Sequence, residues 1–307
     1  MHISVLLKES IDSLNIKEDG IYVDCTLGYA GHSSEILKRI KSGHLFAFDQ
    51  DNDAIKASTE KLSSISNNFT IIKSNFRYLK EELLKRGITE VDGILFDLGV
   101  SSPQLDQEDR GFSYHHDAKL DMRMDQDSTF SAYDVVNTYS VSDLARIISQ
   151  YGEEKYALSI AKNIVKDRSI KPIETTFELV DIIKKSMPEK AKRDKHPARK
   201  TFQAIRIEVN HELEILEDSM KDALSMLKVN GILSVITFHS LEDRIVKNVF
   251  KEETEIDEVV KGMPNIPDEY LPDFELVNHK AIVPCDSELE NNNRSRSSKL
   301  RVIKRIK

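Results

Sequence analysis

The chain has 307 residues, 39% hydrophobic and 31% charged, with a net charge of −8, which gives it length for one or two sizeable cores. No apolar run approaches the roughly 20 residues that span a bilayer, and Met1-His2-Ile3-Ser4 lacks the basic and apolar stretches of a signal peptide, so no membrane partner is expected. Two cysteines, Cys25 and Cys285, are too few for a disulfide framework or a zinc site, so no metal is expected and a cytoplasmic location is the default.

Val5, Leu6, Leu7, Ile11 and Leu14 fall at near-helical spacing and predict a helix lying across a sheet. Strands are then predicted over 21–26, 44–49, 69–73 and 91–97, with helices over 33–41, 52–63 and 78–86 between them. Strands alternating with helices of this length imply a parallel sheet with helices on both faces, an α/β fold. Three of the strands end in carboxylates, Asp24, Asp49 and Asp97, which places them at the carboxyl edge where open α/β sheets bind ligands.

The alternation stops after Asp97. Residues 107–127 are polar and turn-rich, and 131–185 read as helices starting near Ser142, Tyr156 and Thr176, with no convincing strand. The pattern predicts a core over 1–106, a helical insertion over 107–206 that recognises substrate, and a return to the core over 207–307. In that last part a long helix is expected over 210–227, then a turn at Val229-Asn230-Gly231, a fifth strand over 232–238, a loop over 252–273, and a closing hairpin of strands over 280–284 and 300–306.

The net negative charge is unevenly spread. Lys184 to Arg206 holds nine Lys/Arg against two acids, and Asn291 to Lys307 holds seven against none, +7 in each case. An acidic body with two basic patches suits a polyanion held at a defined surface. A solvated helix face and a basic tail would look the same in sequence.

The loop Gly28-Tyr29-Ala30-Gly31 follows the first strand, with Asp49 about 20 residues beyond Gly31, the spacing at which a carboxylate can accept from a ribose diol. It is no Walker loop and lacks the full Gly-x-Gly-x-x-Gly spacing, so alone it fits a plain strand-to-helix turn equally well. The stretch Asp97-Leu98-Gly99-Val100-Ser101-Ser102-Pro103-Gln104 adds a carboxylate, hydroxyls and an amide. Ser102-Pro103 also reads as helix initiation, which leaves Asp97 and Gln104 unexplained. Arg110, Phe112, Tyr114 and Arg123 could stack on a base or hold phosphates, or pack their own loop. Asn210 sits where the insertion rejoins the core, and Ser240 with Asp243 reads as a helix cap beside His239, a candidate for the cleft.

These stretches, with His2 to Glu9, Asp24 to His32, Asp97 to Gln104, Arg110 to Ser113, Leu120 to Met124, Thr237 to Asp243 and Arg294 to Arg301, run in order along almost the whole chain. In them the chain resembles the bacterial ribosomal small subunit methyltransferase H (MraW) family. Ser4, Tyr29-Ala30 and Asn292-Asn293 depart from the family's usual residues. The resemblance implies a class I (Rossmann-like) methyltransferase sheet with a helical insertion, and S-adenosylmethionine as methyl donor to the exocyclic N4 of a cytidine in the decoding region of 16S rRNA. Its partner would be the small ribosomal subunit; monomer and homodimer stay open. The resemblance also implies that Ala30, Gly31 and His32 line the methionine end of the cofactor, Asp49 its ribose and Phe76 its adenine, with Asp97 and Gln104 completing the pocket.

A cytosine amine is a poor nucleophile, so the chemistry asks for an acceptor that draws on an N–H as the methyl arrives. Asp97 or Ser101, with Asn210 or His239 across the cleft, is expected to supply it. The rival readings are a dehydrogenase using the same half-site for a dinucleotide, and a non-catalytic RNA-binding protein.

Overall fold

Strict alternation along the strands gives the sheet two apolar faces. The structure is a computed structural model that describes residues 4–100, 105–192, 196–256, 258–260 and 262–307, without the side chains of Lys192 and Glu258. It divides into two units, Met1–Gly99 with Leu213–Lys307, and Val100–Glu212.

In the first unit, β1 (Ile21–Asp24), β2 (His44–Asp49), β3 (Phe69–Lys73), β4 (Val91–Asp97), β5 (Leu227–Thr237), β6 (Phe274–Leu276) and β7 (Lys299–Arg305) form one sheet in the order β3-β2-β1-β4-β5-β7-β6. The first five are parallel, β7 runs antiparallel between β5 and β6. This is the class I methyltransferase sheet. On one face Tyr22, Leu45, Ala47 and Leu95 pack with α1 (Leu7–Ser13), α2 (Gly31–Arg39) and α3 (Asn52–Ser63) through Ile11, Ile36, Leu37 and Leu62. On the other Val23, Phe46, Phe48, Ile94 and Phe96 pack with α4 (Leu79–Leu84) and later helices through Leu83, Met220, Leu224, Val249 and Phe250.

The second unit encloses a core of Leu144, Ile147, Ile160, Ile164, Leu179, Ile183, Phe202 and Ile205. Its helices are α5 (Ala132–Thr138), α6 (Val141–Gln150), α7 (Ala157–Arg168), α8 (Thr176–Lys185) and α9 (Arg199–Asn210). Ser131, Ser140 and Thr175 cap three of them through side-chain oxygens. Among the described residues its only sheet-type pairing is an isolated bridge, Lys119 to Thr175.

Three expectations are corrected. The helix expected over 210–227 is two: α9 ends at Asn210, His211 takes a left-handed backbone (φ 53°) as its cap, and α10 (Leu216–Ser225) starts afresh. The expected turn at Val229-Asn230-Gly231 lies inside β5, which starts at Leu227. The register shifts there against Val91 and Gly93, and Asn230 absorbs the irregularity at φ 69°. The closing hairpin uses Phe274–Leu276 rather than 280–284, which contributes a single bridge from Ile282 to Leu300. Phe274 is buried where Val283 is exposed, and Pro284 has no N–H for a ladder.

Candidate active site at the carboxyl ends of the first, second and fourth strands

Asp24 ends β1 inside the protein, 1% exposed. It accepts from Ser33 Oγ at 2.6 Å, from the Thr26 backbone N–H at 3.1 Å and from Thr26 Oγ1 at 3.4 Å. Thr26 Oγ1 in turn accepts the Asp97 backbone N–H at 2.7 Å. Asp24 therefore ties the ends of β1 and β4 to the first turn of α2. Burial raises its carboxyl above the usual value, and the Ser33 and Thr26 bonds pull it back. Burial, then the Asp24 charge, pushes the neighbouring Cys25 thiol well up, which makes it no nucleophile.

The loop into α2 is pinned from several sides. Gly28 donates to Asp49 Oδ2 at 2.8 Å from a left-handed backbone (φ 49°), its carbonyl accepts from Ser58 Oγ at 2.7 Å, and the Tyr29 carbonyl accepts from Lys61 Nζ at 3.1 Å. Ala30 is fully buried at φ 54°. At Gly31 an added Cβ would lie 1.7 Å from Ser4 Oγ, so only glycine fits beside that segment as it stands.

Asp97 ends β4. Its Oδ2 lies 3.4 Å from His32 Nδ1, while its Oδ1 is buried and has no hydrogen-bond partner among the described residues. Burial raises its carboxyl well above 3.8, and the negative charges of Asp24 and Glu242 raise it further. His32 Nε2 lies 3.2 Å from the Val5 carbonyl. A carbonyl only accepts, so that nitrogen carries a proton, and Nδ1 is the ring nitrogen that faces Asp97.

After β5, the cap of α11 (Ser240–Thr254) is His239 and not Ser240. The Glu242 N–H approaches His239 Nδ1 at 3.4 Å, and Glu242 Oε2 accepts from the Phe238 and His239 amides at 2.8 and 3.2 Å. Asp243, expected to close a cap, instead accepts from Lys299 and Arg301 on β7, each at 2.8 Å. His239 Nε2 is buried 3.1 Å from Glu242 Oε1, without the alignment of a hydrogen bond. Glu242 is the site residue that sequence reasoning missed; the signal was a carboxylate three residues after His239, one position off the pair chosen.

Asp49 ends β2 and accepts from the amides of Gly28 and Asp51 at 2.8 and 2.9 Å. Burial raises its carboxyl to about 6, against the pull of those amides. Phe76 lies in a short 3₁₀ turn after β3, edge-on to Phe96 with ring centroids 5.4 Å apart. Among the described residues, the carboxyl edge of one sheet thus brings together Ala30, Gly31, His32, Asp49, Phe76, Asp97 and His239. Ser101 and Gln104 lie outside the described residues.

Residues 1–306 match the profile of the MraW methylase family. The chain belongs to that family. It is 57% identical, over its whole length and 98% of the relative, to the ribosomal RNA small subunit methyltransferase H of Exiguobacterium sibiricum. Similar solved structures include an rRNA methylase from Streptococcus thermophilus, at 12% identity over 100% of both chains with a TM-score of 0.46. As a member of the MraW family the chain is a methyltransferase and its methyl donor is S-adenosylmethionine. The residues fit that cofactor: it brings ribose hydroxyls, which donate, and the site offers the Asp49 carboxylate as an acceptor beside a loop of small residues.

Other residues singled out from the sequence are spent inside the fold. In the second unit, the Asn210 amide accepts from the Met124 N–H at 2.8 Å and donates to the Met122 and Arg206 carbonyls at 2.8 and 2.9 Å. Arg110 is buried and donates to the Arg123 carbonyl, and Arg123 forks onto Asp121 with two 2.7 Å bonds. In the C-terminal basic stretch, Lys299 and Arg301 are held by Asp243, while Arg305 donates to the Leu227 carbonyl and Lys307 to that of Asp268. Four of the tail's cations are thus tied to internal acceptors. In the other stretch Lys184, Lys185, Lys190 and Arg199 are exposed and form no ion pair among the described residues. No helix among the described residues is long and apolar enough to cross a membrane.

Proposed function

We propose that the chain methylates the exocyclic N4 of a cytidine in the decoding region of 16S rRNA, with the small ribosomal subunit as substrate. Family membership and the 57% identical relative, named for small-subunit rRNA, support the substrate class. The observation that carries the chemistry is Asp97 Oδ1, at the end of β4, a buried acceptor with no partner among the described residues.

In this reading S-adenosylmethionine supplies an electrophilic methyl, and the chain's residues do the rest. Asp49 holds the ribose hydroxyls, Phe76 packs near the adenine, and Ala30, Gly31 and His32 bound the methionine end. The target base leaves its stack to reach the site. Asp97 Oδ1 accepts an N–H of the target amine, which orients the nitrogen lone pair and receives the proton as the new bond forms. His32 Nδ1, 3.4 Å from Asp97 Oδ2, holds the other carboxyl oxygen in place. His239 is less suited to take the proton, because its Nδ1 already accepts from the Glu242 N–H. The Asn210 amide is taken up by the loop at Met122 to Met124; Ser101 stays the alternative acceptor to Asp97.

The deciding experiment incubates the protein with methyl-labelled S-adenosylmethionine and small ribosomal subunits, then digests the RNA and identifies the labelled nucleoside. Label in N4-methylcytidine is expected, and label in any other nucleoside overturns the reading. Two further results are expected. Asp49 is a carboxylate above about pH 6 and neutral below it, so cofactor affinity measured by calorimetry falls as pH drops through about 6, up to about tenfold per pH unit. An Asp49→Asn protein with the same pH profile would remove Asp49 from the ribose. His239→Asn keeps a good N-cap residue, so the melting temperature holds within about 2 °C and turnover is largely retained; loss of turnover at unchanged stability would move the proton-taking role to the imidazole.

A further inference from the structure

The loop Arg110 to Tyr114 has both guanidinium-bearing neighbours committed inside the fold, yet its aromatic end is built into something else. The Tyr114 ring stacks on His196, centroids 4.4 Å apart and planes 16° apart. His115 tilts against Tyr114 at 4.5 Å and meets His196 edge-on at 5.4 Å. Phe202, buried on α9, supports Tyr114 edge-on at 5.7 Å. His115 is exposed, and Tyr114 and His196 are half-buried. Lys184, exposed, lies near enough for its charge to act on His196, and the second unit also carries the exposed cations Lys185, Lys190 and Arg199.

We infer that the Tyr114, His115 and His196 rings form a stacking platform for an unpaired base of single-stranded RNA, with the flanking phosphates held by Lys184 and its neighbouring cations. The inference rests on the rRNA reading above and adds a contact remote from the transferred methyl. Stacked rings beside free cations are the combination that single-stranded nucleic acid requires, since every base has a π-face and every linkage a charge. Burial first, then the proximity of His115 and Lys184, lowers the His196 pKa. The ring is therefore neutral at physiological pH and serves as a flat surface, while the lysines supply the charge.

The test measures fluorescence anisotropy of the whole protein with a labelled single-stranded RNA of about twelve nucleotides, intact or with one central abasic site, at about 0.1 M salt. Wild type is expected to bind the intact strand about tenfold more tightly than the abasic one. The His115→Ala/His196→Ala double variant loses that preference, and His196→Phe, which keeps a ring, retains it. Lys184→Glu weakens both strands alike and lowers the salt dependence. A wild type blind to the abasic site, or a double variant that still discriminates, overturns the platform. Neither result bears on which nucleoside carries the label in the transfer assay, so failure of the platform and failure of the proposed reaction are told apart.

Discussion

Replacing Asp97 with asparagine is expected to lower kcat for methyl transfer by about 10²–10⁴-fold, the range a positioned acid–base group contributes, while raising thermal stability near neutral pH. Both effects follow from one feature, a carboxyl raised well above 3.8 by burial and by the charges of Asp24 and Glu242. In the unfolded chain this group ionises near its model-peptide value; in the folded protein it ionises only at a much higher pH. The stability it contributes is therefore whole below pH 3.8 and is lost as the pH rises toward the folded value. Asparagine never ionises, so the melting-temperature advantage of the variant grows as the pH is raised from acid toward neutrality. In wild type the transfer rate climbs with pH as the carboxylate forms; in the variant that limb is absent. Melting curves and single-turnover rates across the same pH series check the two together. A variant with full turnover would take the proton-accepting role from Asp97, and one that lost stability along with turnover would make it a structural group.

Replacing Asp24 with alanine is expected to act the other way, as the largest stability loss in the site. Asp24, itself buried, is the shared acceptor for the buried Ser33 Oγ and for the amide and Oγ1 of the half-buried Thr26. Removing it strands those donors, at about 1–3 kcal/mol each for a buried unsatisfied group. Relief of the buried carboxyl itself offsets part of this, because burial already disfavours its charge. A net loss of about 3 kcal/mol, or roughly 6–12 °C in melting temperature, is the balance. By contrast Glu35→Ala, which breaks the exposed Glu35–Lys38 pair at 2.6 Å, costs under about 1 kcal/mol. The Asp24 variant also frees Thr26, which positions the Asp97 backbone, so cofactor affinity falls with stability. A melting temperature within about 2 °C of wild type would show that the three bonds contribute little.

Much of this site was legible in the residues because its placement depends on local pattern. Apolar runs ending in Asp24, Asp49 and Asp97, separated by amphipathic stretches, leave a parallel sheet as the only compact arrangement, and a parallel sheet puts all three carboxylates at one edge. The helical character of the second unit was equally plain, since capping residues and 3.6-residue periodicity act over a few neighbours. What pattern could not assign were choices settled by distant partners. The α11 cap falls on His239 because Asp243 is taken by Lys299 and Arg301, about 60 residues away. The edge strand is Phe274–Leu276 because Phe274 finds room in the core.

By itself, then, the sequence determined the fold class, the order of the carboxylates along the sheet edge and, through its family motifs, the methyl donor. Only the tertiary structure decided which charges remain available. Lys299, Arg301 and Arg305 and the guanidinium groups of Arg110 and Arg123 look free in sequence and are held by internal acceptors, while Asp97 keeps one oxygen unclaimed among the described residues. The physical reason is that a charge's use depends on what folding brings within about 4 Å of it, and residues far apart in the chain supply those neighbours.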